Sequence, residues 1–155
     1  MSGEADRRQR IIVALDVDTA GHQAGQSMSI VRPQYHLRRT NEGIDAFDVR
    51  RLFELSKALP IVMVDPGALA ELDQDHWYFH SNARPTPRSI LEHLEIIRAC
   101  DIRWPIILDQ SGRVMDGMHR VCRALLDKVE RIPAVQFVED PLPDFTNCDP
   151  EELPY

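Results

Sequence analysis

The chain has 155 residues, 43% of them apolar, and a net charge of −7, which fits one ordinary domain with a single core and extensions rather than two independent units. Residues 1–60 carry nine basic and eight acidic side chains, whereas residues 61–155 carry nine basic and seventeen acidic ones. The acidic second part argues against a dedicated duplex-DNA binder, which usually needs a basic face, yet leaves room for a local cluster of arginines on one small anion.

Sixteen of the eighteen basic residues are Arg, the cation suited to bidentate phosphate or carboxylate contacts. Cys100, Cys122 and Cys148 are odd in number and lack CxxC spacing, so they read as reduced thiols rather than a disulfide framework or a zinc site. No apolar run approaches membrane-spanning length and no signal-type segment follows the first residues, so a soluble cytoplasmic protein is expected.

Residues 1–44 read as an arm without a clear period: an apolar run at residues 11–15 leads into Asp16-Val17-Asp18-Thr19 and then a Gly, Gln and Ser stretch. Asp45 or Asp48 can cap a helix to Leu59, since Phe47, Leu52, Leu55 and Leu59 recur at helical spacing and Pro60 stops it. Residues 61–64 read as a short strand closed by Pro66-Gly67. The aromatic and polar segment at residues 75–84 lacks a period and reads as extended or looping. Thr86 with Pro87 is a strong helix start, with Ile90, Leu94 and Ile97 as its buried face and an end near residues 99–101.

Pro105-Ile106-Ile107-Leu108 and Arg113-Val114-Met115 flank Asp109-Gln110-Ser111-Gly112, which predicts a hairpin with glycine at the positive φ of the turn. After Gly117, the residues Met118, Val121, Cys122, Leu125 and Leu126 fall at i, i+3, i+4, i+7 and i+8, the pattern of an amphipathic helix. His119, Arg120 and Arg123 lie off that stripe and are available to solvent or ligand. Residues 132–138 form a last strand. Residues 139–155 hold six acids, four prolines and no basic residue, which predicts an extended, weakly ordered tail. The expected domain, residues 45–138, is α+β: a small mixed β-sheet with flanking helices.

A strand running through glycine into a helix points free backbone N–H groups, a histidine and an arginine at one spot, an arrangement suited to a phosphate. Gly117, Met118, His119 and Arg120 are the candidate nucleotide contacts. Arg123 is another, with pairing to Asp127 at i+4 as the alternative. A carboxylate beside a phosphate is repulsive unless a cation or a hydroxyl lies between them, so Asp116 is a candidate for holding Mg²⁺ or for taking a proton from an attacking hydroxyl. The plainer alternative makes Gly117 a turn glycine and Asp116 an N-cap.

Arg84 and Arg88 flank the Thr86 helix start, where a second anion site would adjoin the first. His76 and His80 have the i, i+4 spacing of zinc ligands, but their segment is not expected to be helical and no third ligand is obvious. Trp77, Tyr78 and Phe79 either stack a base or cover the sheet. Glu92 and Glu95 read as solvated, with one of them facing the pocket as a base as the alternative.

The order of strand, aromatic linker, helix, strand, turn, Asp116-Gly117-Met118-His119-Arg120 helix and last strand is similar to the domain shared by ParB-type partition proteins and sulfiredoxin, over roughly residues 60–138. The resemblance rests on Gly117, a spacer, and the basic pair His119 and Arg120 opening a helix, with Ala124 where that helix packs closely on the sheet. It implies a turn that binds nucleotide phosphates, with ATP, ADP or CTP and Mg²⁺ as cofactors. Family members include CTP-dependent DNA clamps, an ATP-using sulfinic acid reductase and an ADP- or ATP-dependent free-serine kinase.

Met118 stands where sulfiredoxin-like enzymes carry their catalytic Cys, and Cys122 belongs to the apolar stripe, which argues against sulfinic acid repair. Only an acidic tail follows the domain, so DNA is not an expected partner of this chain alone. The free-standing kinase branch, which also carries Asp-Gly-x-His-Arg, is the nearest resemblance. The expected activity is Mg²⁺-dependent phosphoryl transfer or nucleoside triphosphate hydrolysis, making the chain a phosphotransferase or NTPase. Its expected partners are a nucleotide and a small hydroxyl-bearing substrate, with a homodimer as a further candidate.

The alternatives are a non-catalytic nucleotide-sensing or partition-related module, and a weak DNA nuclease. Residues 11–19 are also similar to the nucleophile motif of haloacid dehalogenase-like phosphatases and, in part, to the first strand of barrel decarboxylases of nucleotide biosynthesis, but neither fold fits in the remaining chain. On this reading, His119→Ala and Arg120→Ala each weaken nucleotide binding with little change in melting temperature, because both lie off the apolar stripe; calorimetric titration beside a thermal melt checks this.

Overall fold

The computed structural model describes residues 34–80 and 83–155; the run at residues 11–15 and its two short likenesses lie outside them. Residues 35–44, expected to belong to an arm, lie in regular structure. Strands β1 (Tyr35–Thr40) and β2 (Gly43–Asp48) form an antiparallel hairpin in which Tyr35 faces Asp48 and Thr40 faces Gly43. Phe47 therefore belongs to a strand, and the helix begins after it. Asp48 is the cap, accepting from the Arg50 amide at 2.9 Å, and α1 (Val49–Ser56) stops short of Leu59.

Next come β3 (Val62–Val64), 3-10 turns at Pro66–Ala68 and Ala70–Asp73, and an irregular aromatic segment at residues 74–80. Helix α2 (Pro87–Ala99) starts on the Thr86 cap, whose hydroxyl accepts from the Ser89 amide. It is followed by β4 (Ile106–Leu108), β5 (Val114–Asp116), α3 (Met118–Leu126) and β6 (Ile132–Gln136). The result is a mixed α+β fold.

The four-stranded sheet runs β3-β6-β4-β5, with β4 parallel to β6 and the outer pairs antiparallel. The period of two along each strand sorts the core onto two faces. Ile106, Leu108, Val114, Ile132 and Ala134 pack with Met118, Val121 and Ala124 of α3. Ile107, Met115, Val135 and Phe137 pack on the other face with Phe47 and Leu52. Each fully buried aliphatic chain contributes about 1.5–3 kcal/mol.

Two predicted helix faces are rotated. On α2, Ile96 and Ile97 are buried while Ile90 is 52% exposed. On α3, Ala124 is buried and Leu126 is 59% exposed, because the helix approaches the sheet along its smallest residue.

The tail is fixed rather than loose. Ala46 and Phe145 exchange backbone hydrogen bonds of 2.8 and 3.1 Å, Cys148 N–H donates to the Ile44 carbonyl, and Asp144 pairs with Arg51 at 3.0 Å. Tyr35 packs edge-on against both Phe145 and Tyr155, and Pro150 and Leu153 are buried. Counting charge missed this because the tail pairs through its backbone with the second edge of β2 and inserts isolated apolar anchors.

Asp109 ties the β4–β5 turn to β1. It is fully buried; its Oδ1 accepts from the Ser111 and Arg113 amides, and its Oδ2 accepts from Arg38 Nη2 at 3.0 Å and Arg113 Nε at 2.8 Å. Arg38 also donates to Asp140, whose other oxygen accepts from the Gln110 amide. No helix among the described residues is long and apolar enough to cross a membrane. Asp109→Ala leaves two amides and the Arg113 guanidinium without their acceptor and Arg38 with Asp140 alone, and is expected to lower stability by about 3 kcal/mol, read from the urea midpoint.

Candidate functional site

Strand β5 delivers Asp116 directly into Gly117, which has φ +107° and begins α3 without any side-chain cap. This is the left-handed region that glycine enters without steric cost. A Cβ at Gly117 would lie 2.6 Å from Ile106 Cγ2 and 2.8 Å from Arg120 Nη2, so the glycine serves close approach as well as backbone direction. The uncapped first turn leaves the Met118, His119 and Arg120 amides without the acceptors that a cap supplies.

Arg120 folds back over this corner. Its Nη2 donates to Asp116 Oδ2 at 2.6 Å, while its Nε is buried and has no acceptor among the described residues. Asp116 and Arg120, predicted to serve a cation and a phosphate separately, are thus joined as an i, i+4 ion pair. Met118 places its side chain in the core, so only its backbone faces the corner.

His119 is a correction. Rather than standing free beside the stripe, its ring is stacked with Trp77 and His93, at centroid separations of 5.0 and 5.2 Å, and Trp77 lies 4.1 Å from His93. His119 Nε2 and His93 Nδ1 are 2.9 Å apart, a hydrogen bond that needs one donor and one acceptor ring nitrogen. Burial lowers His119 to about 4, helped by the neighbouring His93, His76 and Arg120, and burial lowers His93 as well. The stack is thereby kept neutral. Periodicity within α3 cannot reveal it, because the segment at residues 74–80 folds over from elsewhere; Tyr78 pins that segment through a 2.9 Å hydrogen bond to Ser89.

Arg123 donates to Asp127 at 2.5 Å and to the Arg98 carbonyl, which ties it to the end of α2 rather than to Gly117. Helices α2 and α3 run side by side in the same direction, His93 meeting His119 and Arg98 meeting Arg123. The first turn of α2 therefore begins about 8 Å before α3 does, at 1.5 Å per residue. Arg84 and Arg88 lie at that overhang, exposed and with no side-chain partner among the described residues. Neither touches the corner.

His76 and His80 lie in the irregular segment, and no group of three His, Cys, Asp or Glu among the described residues is arranged to hold a metal ion. Cys122 is half-buried and its thiol is pushed up by burial, then by Cys100. His93 and Glu71 escaped the sequence reading. The available signal for His93 was its i, i+4 spacing from Ser89 and Ile97 along one side of α2. No protein-family model, curated protein or solved structure matches the chain.

The buried histidines set a pH dependence. Burial takes His36 to about 3 and His119 to about 4, below the ordinary value near 6.5. The unfolded chain therefore binds more protons, so stability is complete above about pH 6.5 and falls as pH drops toward 4. Each histidine contributes about 1.4 kcal/mol per pH unit inside its window. Urea midpoints between pH 4.5 and 7 should show this slope, and His119→Gln should remove about one proton from it. Because His119 is stacked, its replacement also lowers the melting temperature, unlike the expectation drawn from periodicity.

Proposed function

We propose that the chain binds a nucleoside di- or triphosphate at the junction of β5 and α3, as a ParB/sulfiredoxin-like domain. The observation that carries this reading is the Arg120 guanidinium lying over a helix start without a side-chain cap, its buried Nε without a partner among the described residues. An anion there would meet main-chain amides, the positive end of the helix and a preplaced cation together. Support for the fold comes from the order of parts: hairpin, left-handed glycine, helix, then a strand returning parallel to β4. The unpaired thiols suit a reducing, cytoplasmic setting.

The residues fit Mg²⁺ only as a companion of the nucleotide. Asp116 supplies one carboxylate, and this ion commonly takes one or two carboxylates together with substrate phosphates. Its chemistry there would be neutralisation of phosphate charge. A phosphate on Arg120 competes with Asp116 for the guanidinium. As the alternative to holding the ion, a released Asp116 would take the proton of a small hydroxyl substrate or of water while that oxygen bonds to the terminal phosphorus, the bond from phosphorus to its bridging oxygen breaks and the shortened nucleotide leaves; this step would make the chain a phosphotransferase or NTPase.

A second reading has its own observation. Because Asp116 is already committed to Arg120, ligand binding alone exchanges one ion pair for another, which suffices for a nucleotide-sensing module without turnover. The acidic second part of the chain weighs against the weak nuclease.

Thermal-shift and titration measurements with ATP, ADP, CTP and GTP test the reading. Binding is expected to weaken at least tenfold without Mg²⁺, since the freed carboxylate then faces the phosphates. Arg120→Ala is expected to weaken binding by ten- to a hundredfold while changing the melting temperature little, as its pair with Asp116 is partly exposed. Equal affinity with and without the arginine would refute the site, and release of phosphate or diphosphate separates the enzyme from the sensor.

A further inference from the structure

A cleft of about 180 Å³ adjoins the start of α3, lined by Glu71, His76, Trp77, Tyr78, Met118 and Cys122 among others. That is smaller than the roughly 300–1,000 Å³ of a pocket for a whole drug-sized ligand, and it suits a single ring. Two of its walls are aromatic and one carries a thioether. Its polar lining includes Gln74, Asp75 and Glu71, and of these three Glu71 alone is buried.

Glu71 is 8% exposed. Its Oε1 accepts from the Val114 amide at 2.7 Å, whereas its Oε2 is buried with no donor and the residue enters no ion pair among the described residues. Asp109, the other buried carboxylate, has every oxygen bonded. A buried polar oxygen without a donor is costly to the fold, so a ligand that brings an N–H group gains what the fold leaves unmade. With no group of three metal ligands among the described residues, a neutral donor on a flat ring fits this cleft better than a metal ion does.

The anchor of Glu71 on β5 sets the distance to the phosphate corner. Val114 precedes Gly117 by three residues, about 10 Å along an extended strand. A ribose phosphate bridges such a gap. We propose that the cleft is the base subsite of the nucleotide site and takes an amino-bearing base, adenine or cytosine, whose exocyclic amine donates to Glu71 Oε2. This assignment rests on the phosphate reading for its geometry, but its chemistry is separate. A carboxylate accepts from an amine and repels the carbonyl that hypoxanthine or uracil presents at the same ring position.

Calorimetric titration of the full chain with ATP against ITP and CTP against UTP, each with Mg²⁺, tests the assignment, and adenosine, cytidine, inosine and uridine repeat it without phosphates. The amino member of each pair is expected to bind at least tenfold tighter. In Glu71→Gln the amide oxygen keeps the bond to Val114 and the NH₂ faces the cleft, so the preference is expected to reverse toward ITP and UTP. Circular dichroism checks that this variant folds; if it does not, the wild-type pairs alone decide.

Equal affinity within each pair, or an unchanged preference in Glu71→Gln, overturns the base subsite, while nucleotides that still outbind nucleosides keep the phosphate site. An amino preference among nucleosides, with nucleotides no tighter, supports the subsite and rejects the phosphate corner. If neither nucleotides nor nucleosides bind, both fail.

Discussion

The molecule turns on Gly117. A left-handed residue at the end of β5 sends the chain from the sheet straight into α3, and Ile106 and Arg120 approach too closely for any side chain to stand there. Because the junction has no slack, Asp116 ends the strand and Arg120 rises one helical turn later, so the two meet as an ion pair over the glycine. The same step seats Met118, Val121 and Ala124 on the sheet. Core packing and the candidate site are thus consequences of one backbone conformation.

The buried polar groups are treated unequally, and the difference separates structure from candidate function. Asp109 is saturated by amides and by two arginines, which joins the β4–β5 turn to β1 and, through Arg38, to Asp140. The rings of His93 and His119 satisfy each other and are covered by Trp77. Glu71 Oε2 and Arg120 Nε alone are buried without partners among the described residues. A folded chain rarely leaves such groups unmade, and both lie close to the start of α3.

The proposed phosphate site asks an acidic chain to concentrate its cations. Arg120 would meet that need by its nearness to the helix start rather than by net charge, and Asp116 occupies its guanidinium in the structure. An anion bound there would have to compete with that internal pair. The stacked histidines beside it stay neutral, so they add shape and rigidity to the site rather than charge.

Local order was legible in the sequence wherever neighbours in the chain decide the outcome. Thr86 with Pro87, the Asp109–Gly112 turn, the strand into Gly117 and the helix after it all follow from capping, φ preference and period, which act over a few residues. Asp45 and Asp48 both offered a cap, and only the pairing of β2 with β1 and the tail selected Asp48. The ring orientation of His119, the rotation of α2 that exposes Ile90, the anchoring of the tail, and the burial of Glu71 beneath Val114 are settled by contacts across 25 to about 100 residues of chain. The sequence by itself determined α2, the β4–β5 hairpin, α3, β6 and the Asp116–Arg120 motif, but not the hairpin of β1 and β2. Tertiary structure alone decided which of those side chains face a ligand and which face one another, because burial and pairing are properties of the assembled surfaces.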